Sequence, residues 1–125
     1  VSSDPLLLNW SKVAGRAVIP LGKSGRIADP DLPYTVFDPC IWKEGEYYYS
    51  LSGTYRNGER SVDCEAVDHI FRSKDLSTWE YLGSMLESGF LTEPGEDGAV
   101  PNFLPIGSGK HYSCFLATSA LVSTL

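Results

Sequence analysis

Basic charge is scarce in this chain: ten Lys and Arg face sixteen Asp and Glu, for a net charge of -6 over 125 residues. Without a Lys/Arg stripe to neutralise phosphates, neither nucleic acid nor an anionic membrane surface is an expected partner. Long apolar runs are absent too. None approaches the roughly 20 residues of a membrane span, so the chain is expected to be soluble and to bury one core. Cysteine is limited to Cys40, Cys64 and Cys114, far apart, with no Cys-x-x-Cys pair and no His at ligand spacing. A zinc site is therefore not expected. Their odd number fits reduced thiols at least as well as one disulfide with a leftover, which leaves the redox compartment open. The start, Val1-Ser2-Ser3-Asp4-Pro5, lacks an initiator Met and any basic segment leading into an apolar one, which suggests a fragment or a processed product. Finally, no stretch keeps a 3.6-residue apolar period for three turns, so helices are not expected.

What is abundant is aromatic and turn-forming residues. Three Trp, seven Tyr and five Phe offer flat apolar faces, several with polar tips, a supply that suits a neutral ligand such as a sugar. Short alternating or apolar runs, punctuated by Gly, Pro, Asn and Asp, make the expected class all-β. Strands are expected at 16–20, 36–43, 46–53, 65–73, 79–82, 99–106 and 110–117. Lys43-Glu44-Gly45 and Asn57-Gly58 are hairpin signals, since Gly supplies a positive φ at no steric cost. Ile106-Gly107-Ser108-Gly109-Lys110 is a third tight connection. Segments 22–31 and 87–98 read as longer loops rich in Gly, Pro and charge, the kind that carries ligand contacts on a rigid scaffold.

Two features go beyond fold class. A Ser/Asp/Leu/Trp signature occurs twice, as Ser3-Asp4-Pro5-Leu6-Leu7-Leu8-Asn9-Trp10 and as Ser73-Lys74-Asp75-Leu76-Ser77-Thr78-Trp79. Repeats of this kind point to the stacked blades of a β-propeller. The second is Asp38, inside Tyr34-Thr35-Val36-Phe37-Asp38-Pro39-Cys40-Ile41-Trp42. Asp disfavours strand interiors, and an ionised carboxylate is seldom fully buried without a partner, so the run suggests a side chain aimed into a cavity. The alternative is a strand-initiating Asp-Pro turn.

In this order, Ser-Asp-Pro-Leu-Leu-Leu-Asn-Trp10, Ala17-Val-Ile-Pro20, Asp38-Pro-x-x-Trp42 with Tyr47-Tyr48-Tyr49, and Ser73-x-Asp-Leu-x-x-Trp79 resemble glycoside hydrolase family 32, the invertases and fructanases. The resemblance runs from Ser2 to about Ser119. It implies a partial five-bladed β-propeller, approximately blades two and three over residues 1–125, from an enzyme that hydrolyses β-fructofuranosides with retention. It also implies a carbohydrate substrate and no metal or organic cofactor. Retention needs two carboxyl groups about 5 to 5.5 Å apart, a nucleophile and an acid/base, and a third carboxylate steadies the charge developing on the ring. Asp38 matches the family's Arg-Asp-Pro aspartate and takes the transition-state role, although Phe37 stands where the arginine would. The acid/base maps near Glu96-Asp97-Gly98-Ala99-Val100-Pro101-Asn102. Aligning the prolines puts Ala99 in its place, so Glu96 or Asp97 must reach in, with Glu93 behind them. Trp42 and Asn102 are the implied substrate contacts. The nucleophile's segment has no counterpart, and Asp4 does not supply one. Two alternatives remain: a family 43-like inverting arabinosidase or xylosidase, which shares the propeller, and a non-catalytic carbohydrate-binding propeller. The other polar residues read as structural. Asp63, Glu65 and Asp68 suit a solvated strand face, and His69 and His111 suit half-exposed strand positions.

Overall fold

A computed structural model of the chain describes residues 2–12, 15, 17–20, 32–55, 65–85, 96–108 and 111–119. Six strands and no helix occur among them: β1 Cys40–Glu44, β2 Tyr47–Tyr55, β3 Ala66–Ser73, β4 Glu80–Ser84, β5 Glu96–Pro105 and β6 His111–Ser119. The first four form an antiparallel meander in sequence order, and β5 and β6 form a separate antiparallel pair. No described helix is long and apolar enough to cross a membrane.

Local chemistry accounts for the ladder. Glu44 pairs with Tyr47 across a two-residue Gly45-Glu46 turn, and Gly45 takes the φ of +59° that such a turn demands. The Tyr-rich β2 then lies between β1 and β3, where aromatic and β-branched neighbours pack well across strands. Gly107, at φ +61°, begins the connection from β5 to β6. The expected hairpin at Asn57-Gly58 and the loop at 22–31 lie outside the described residues.

Three boundaries differ from the sequence reading. The described residues 17–20 form no strand. The strand expected from Val36 begins only at Cys40, because Asp38 sits at φ +43° and Pro39 brings no amide hydrogen to a ladder. At the other end, Glu96, Asp97 and Gly98 belong to β5 rather than to a loop. Their backbones pair with Ser119, Thr118 and Ala117 of β6.

Because residues alternate across a strand, the four-stranded sheet has two distinct faces. One carries Phe71, Tyr81, His69, Ser50 and Ser52 and is covered by Tyr34. Tyr34 meets Phe71 edge-on at 4.8 Å between centroids and Tyr81 at the same distance. The opposite face carries Cys40, Trp42, Tyr49, Leu51, Gly53 and Asp68, and β5 lies across it. Leu51 and Phe71, both essentially inaccessible to solvent, anchor the two faces. Burying each side chain contributes about 1.5–3 kcal/mol.

Candidate functional site

Asp38 is exposed, not aimed into a cavity, and it precedes β1 at a backbone conformation that side chains rarely adopt. The strain is held from the neighbouring residue. Ser52 Oγ accepts from the Phe37 amide at 2.5 Å and donates to the Phe37 carbonyl at 2.5 Å, clamping the chain to the middle of β2. Phe37 itself is 56 % exposed, so the residue in the expected arginine's position presents a bare ring to solvent beside Asp38.

The residue after Ser52 opens a second arrangement that the sequence did not disclose. Gly53 pairs with Asp68 on β3, and a Cβ placed on Gly53 would lie 1.7 Å from the Gly98 carbonyl oxygen of β5. Only glycine allows this approach of two backbones. Asp68 Oδ1 lies within van der Waals reach of the Cβ positions at both Gly53 and Gly98. Far from a solvated face, Asp68 is 4 % exposed, and burial pushes its carboxyl up to about 6. Glu96 comes two residues before Gly98, with no register break between them, and shares its face of β5. Of the three carboxyl groups, Asp68 lies at this close approach, while Asp38 follows the clamped Phe37 and Glu96 stands two residues along β5 from Gly98. Asp38 and the half-buried Glu96 have access to solvent; Asp68 does not, which bars it from touching a sugar. The Asp97 side chain lies outside the described residues. Ala99, the position aligned with the family's acid, is half-buried on β5.

Trp42 occupies the seam between the sheets. Its ring stacks on Tyr49 at 5.4 Å and 18° and meets Phe103 of β5 at 4.5 Å. Its Nε1 is buried with no hydrogen-bond partner among the described residues. Nearby, the Phe103 amide donates to Cys40 Sγ at 3.4 Å, and the Cys40 thiol is free. Cys64 lies outside the described residues, as does the Cys114 side chain. Asn102 is exposed, and its amide donates to the Val100 carbonyl at 3.0 Å, where β5 bulges with Val100 at φ +50°. His69 is buried rather than half-exposed, with Nδ1 3.0 Å from the Tyr81 hydroxyl. Asp63 and the His111 side chain lie outside the described residues. The described residues contain no cluster of His, Cys, Asp and Glu able to hold a metal.

The two copies of the signature share an Asp that caps its own turn and a Trp whose indole donates to a left-handed Leu three residues before it, but Asp4 and Trp10 are six residues apart and Asp75 and Trp79 four. In the first copy Asp4 accepts from the amides of Leu6 and Leu8, Leu7 sits at φ +55°, and Trp10 Nε1 donates to the Leu7 carbonyl at 2.7 Å. In the second, Asp75 accepts from the amides of Ser77 and Thr78, Leu76 sits at φ +61°, and Trp79 Nε1 donates to the Leu76 carbonyl at 3.1 Å. A serine two residues earlier accepts from each Asp amide: Ser2 in one case and Ser73 in the other. The Ser–Asp part thus pairs Ser2 with Ser73, whereas the Leu–Trp part pairs Leu7 with Leu76 and sets Asp4 against Ser73. These amide bonds hold both carboxyls below the usual value, with Leu6 the main contributor for Asp4 and Thr78 for Asp75.

Comparison with protein-family models, with curated proteins and with solved structures returns no match.

Proposed function

We propose that this chain is part of a β-propeller glycosidase of the family 32 kind, whose parent protein hydrolyses β-fructofuranosides with retention. The observation that carries the reading is that both copies of the Ser/Asp/Leu/Trp signature form an Asp-capped turn with the Trp indole tethered to a left-handed Leu. The second copy joins β3 to β4 of a four-stranded antiparallel meander, the place such a turn holds in a propeller blade. The face contact between that meander and the β5–β6 pair is in keeping with one blade stacking on the first strands of the next.

On this reading Asp38 stabilises the oxocarbenium-like transition state. It stands ahead of the first strand of the meander, exposed to solvent and fixed in direction by the Ser52 clamp on Phe37. Glu96 or Asp97, at the start of the first strand of the next sheet, donates a proton to the leaving oxygen and later takes one from water. The nucleophile comes from outside residues 1–125, and the isolated chain turns over no fructoside.

A non-catalytic sugar-binding propeller is the second reading, favoured by Phe37 and Ala99 in place of an arginine and an acid. Both are tested in the longest open reading frame that contains these residues, assayed for fructose release from sucrose and inulin. The catalytic reading expects turnover, retention at the anomeric carbon in the first-formed product, and a fall of about 10²–10³ in kcat for Asp38→Asn. Sugar binding without turnover would favour the binding module. Inversion would point to a family 43-like enzyme.

A further inference from the structure

We infer that Asp68 is a protonation-controlled latch between the two sheets: neutral, it lets the start of β5 seat on the meander, and ionised, it parts the β5–β6 pair from a meander that stays folded. The latch does not rest on the glycosidase reading.

The geometry that carries it is a carboxyl group enclosed at a joint. Asp68 is buried, and its Oδ1 lies 3.4 Å from where a Cβ on Gly53 of β2 would stand and 3.8 Å from where one on Gly98 of β5 would stand. The Ala66 Cβ closes the same place at 3.4 Å from the Gly98 position. Water therefore reaches the carboxyl fully only when Gly98 moves away. A charge taken out of water is costly unless it is paired, and pairing is not on offer here. β2 turns Gly53 and Leu51 to this face and β3 turns Ala66 and Ile70, none of them charged. From β5 comes Gly98, with Glu96 two residues along, itself a carboxyl and no source of positive charge. The cation on this face of β3, Arg72, stands four residues from Asp68 and is engaged by Glu80 at 2.6 Å. The Tyr55 side chain, at the end of β2, lies outside the described residues. Burial accordingly raises the Asp68 carboxyl from 3.8 to about 6.

The joint is able to open on its own. β1 to β4 share one ladder and β5 and β6 another, and no ladder among the described residues joins the two. β5 meets the meander through side chains, as where Phe103 packs on Trp42, and through the Phe103 amide on the Cys40 sulfur. Parting the sheets gives up those contacts and leaves strand pairing whole, the mark of a local rather than a global opening. Glu96 and Asp97 lead into Gly98 on the same strand, so the opening displaces both.

The test is hydrogen exchange of the 125-residue chain, read amide by amide by NMR from pH 4 to pH 7, with each rate divided by that of an unstructured peptide. With Asp68 at about 6 when closed and 3.8 when open, opening of β5 and β6 should rise about fiftyfold over this range, most of it below pH 6. At pH 7 the amides of β5 and β6 should exchange at least about tenfold faster than those around Phe71 in β3. Asp68→Asn, which keeps the shape and cannot ionise, should abolish the rise. Glu96→Gln, which removes the other carboxyl on this face of β5, should preserve it. Three results would overturn the latch: no rise with pH, a rise lost in Glu96→Gln, or equal exchange of β5 and β3 at pH 7, which would mean that the sheets unfold together. If Asp68→Asn does not fold, the wild type and Glu96→Gln still decide the matter.

Discussion

The two faces of the four-stranded sheet solve the burial problem differently. On one, Tyr34, Phe71 and Tyr81 form a cluster of tilted and edge-on rings that includes the His69–Tyr81 pair, while the buried Ser50 Oγ has no hydrogen-bond partner among the described residues. On the other, β5 approaches so closely that side chains give way to glycine, and a carboxyl group is enclosed at Gly53 and Gly98. The first face is a packing of aromatic surface. The second is a backbone contact with a carboxyl group in it, whose burial makes the strength of the contact depend on pH.

Phe71→Ala should break the aromatic face and carry the largest cost, about 3–5 kcal/mol in urea unfolding. A loss under 1 kcal/mol would show that the Tyr34 cluster is not the main anchor. Asp68 governs the pH arm of the comparison. Its folded pKa is raised from 3.8 to about 6, so its contribution is fully present below 3.8 and is lost as pH rises through 6. The loss above that point is about 3 kcal/mol, and Asp68→Asn should remove it, leaving a flatter stability profile between pH 4 and 8. An unchanged slope would mean the carboxyl is not enclosed. The turn carboxylates act in the opposite direction, because Asp4 and Asp75 have lowered values and lose their contribution as pH falls through them. Stability should therefore peak on the mildly acidic side of neutral.

Gly53→Ala should cost about 1–3 kcal/mol, since the new Cβ meets a carbonyl that can move only with its strand. Hydrogen exchange should quicken in β5 and β6 and stay slow around Phe71. If both regions quicken together, the two faces are not separable. Tyr81→Phe sharpens the comparison least, at about 1 kcal/mol for the hydroxyl facing His69 Nδ1, and it should leave the pH profile of Asp68 untouched.

Much of the fold was readable from local patterns. The Tyr-rich strand and the Gly45 turn are determined by neighbours in sequence, and so is the duplicated turn, whose bonds all fall within five residues. Asp38 stands out in the sequence and suggests a side chain aimed into a cavity, but the structure exposes it: a left-handed φ before a proline ends the extended run, closer to the Asp-Pro turn alternative. Asp68 was misread as solvated because the alternation of β3 fits either face, and only β5, a distant segment, decides which one is covered. The clue that existed was Gly53 inside a strand of aromatics, which announces a close backbone approach without naming what approaches. Glu96 and Asp97 read as loop because the 87–98 segment is rich in Gly, Pro and charge, yet β6 supplies the ladder that makes them strand.

Cys40 gives the seam a chemical clock. Its sulfur accepts the Phe103 amide across the boundary between the sheets, so an alkylating reagent gains full access to it only when that boundary parts. With Cys64 and Cys114 replaced by serine, the labelling rate would count how often the two sheets separate.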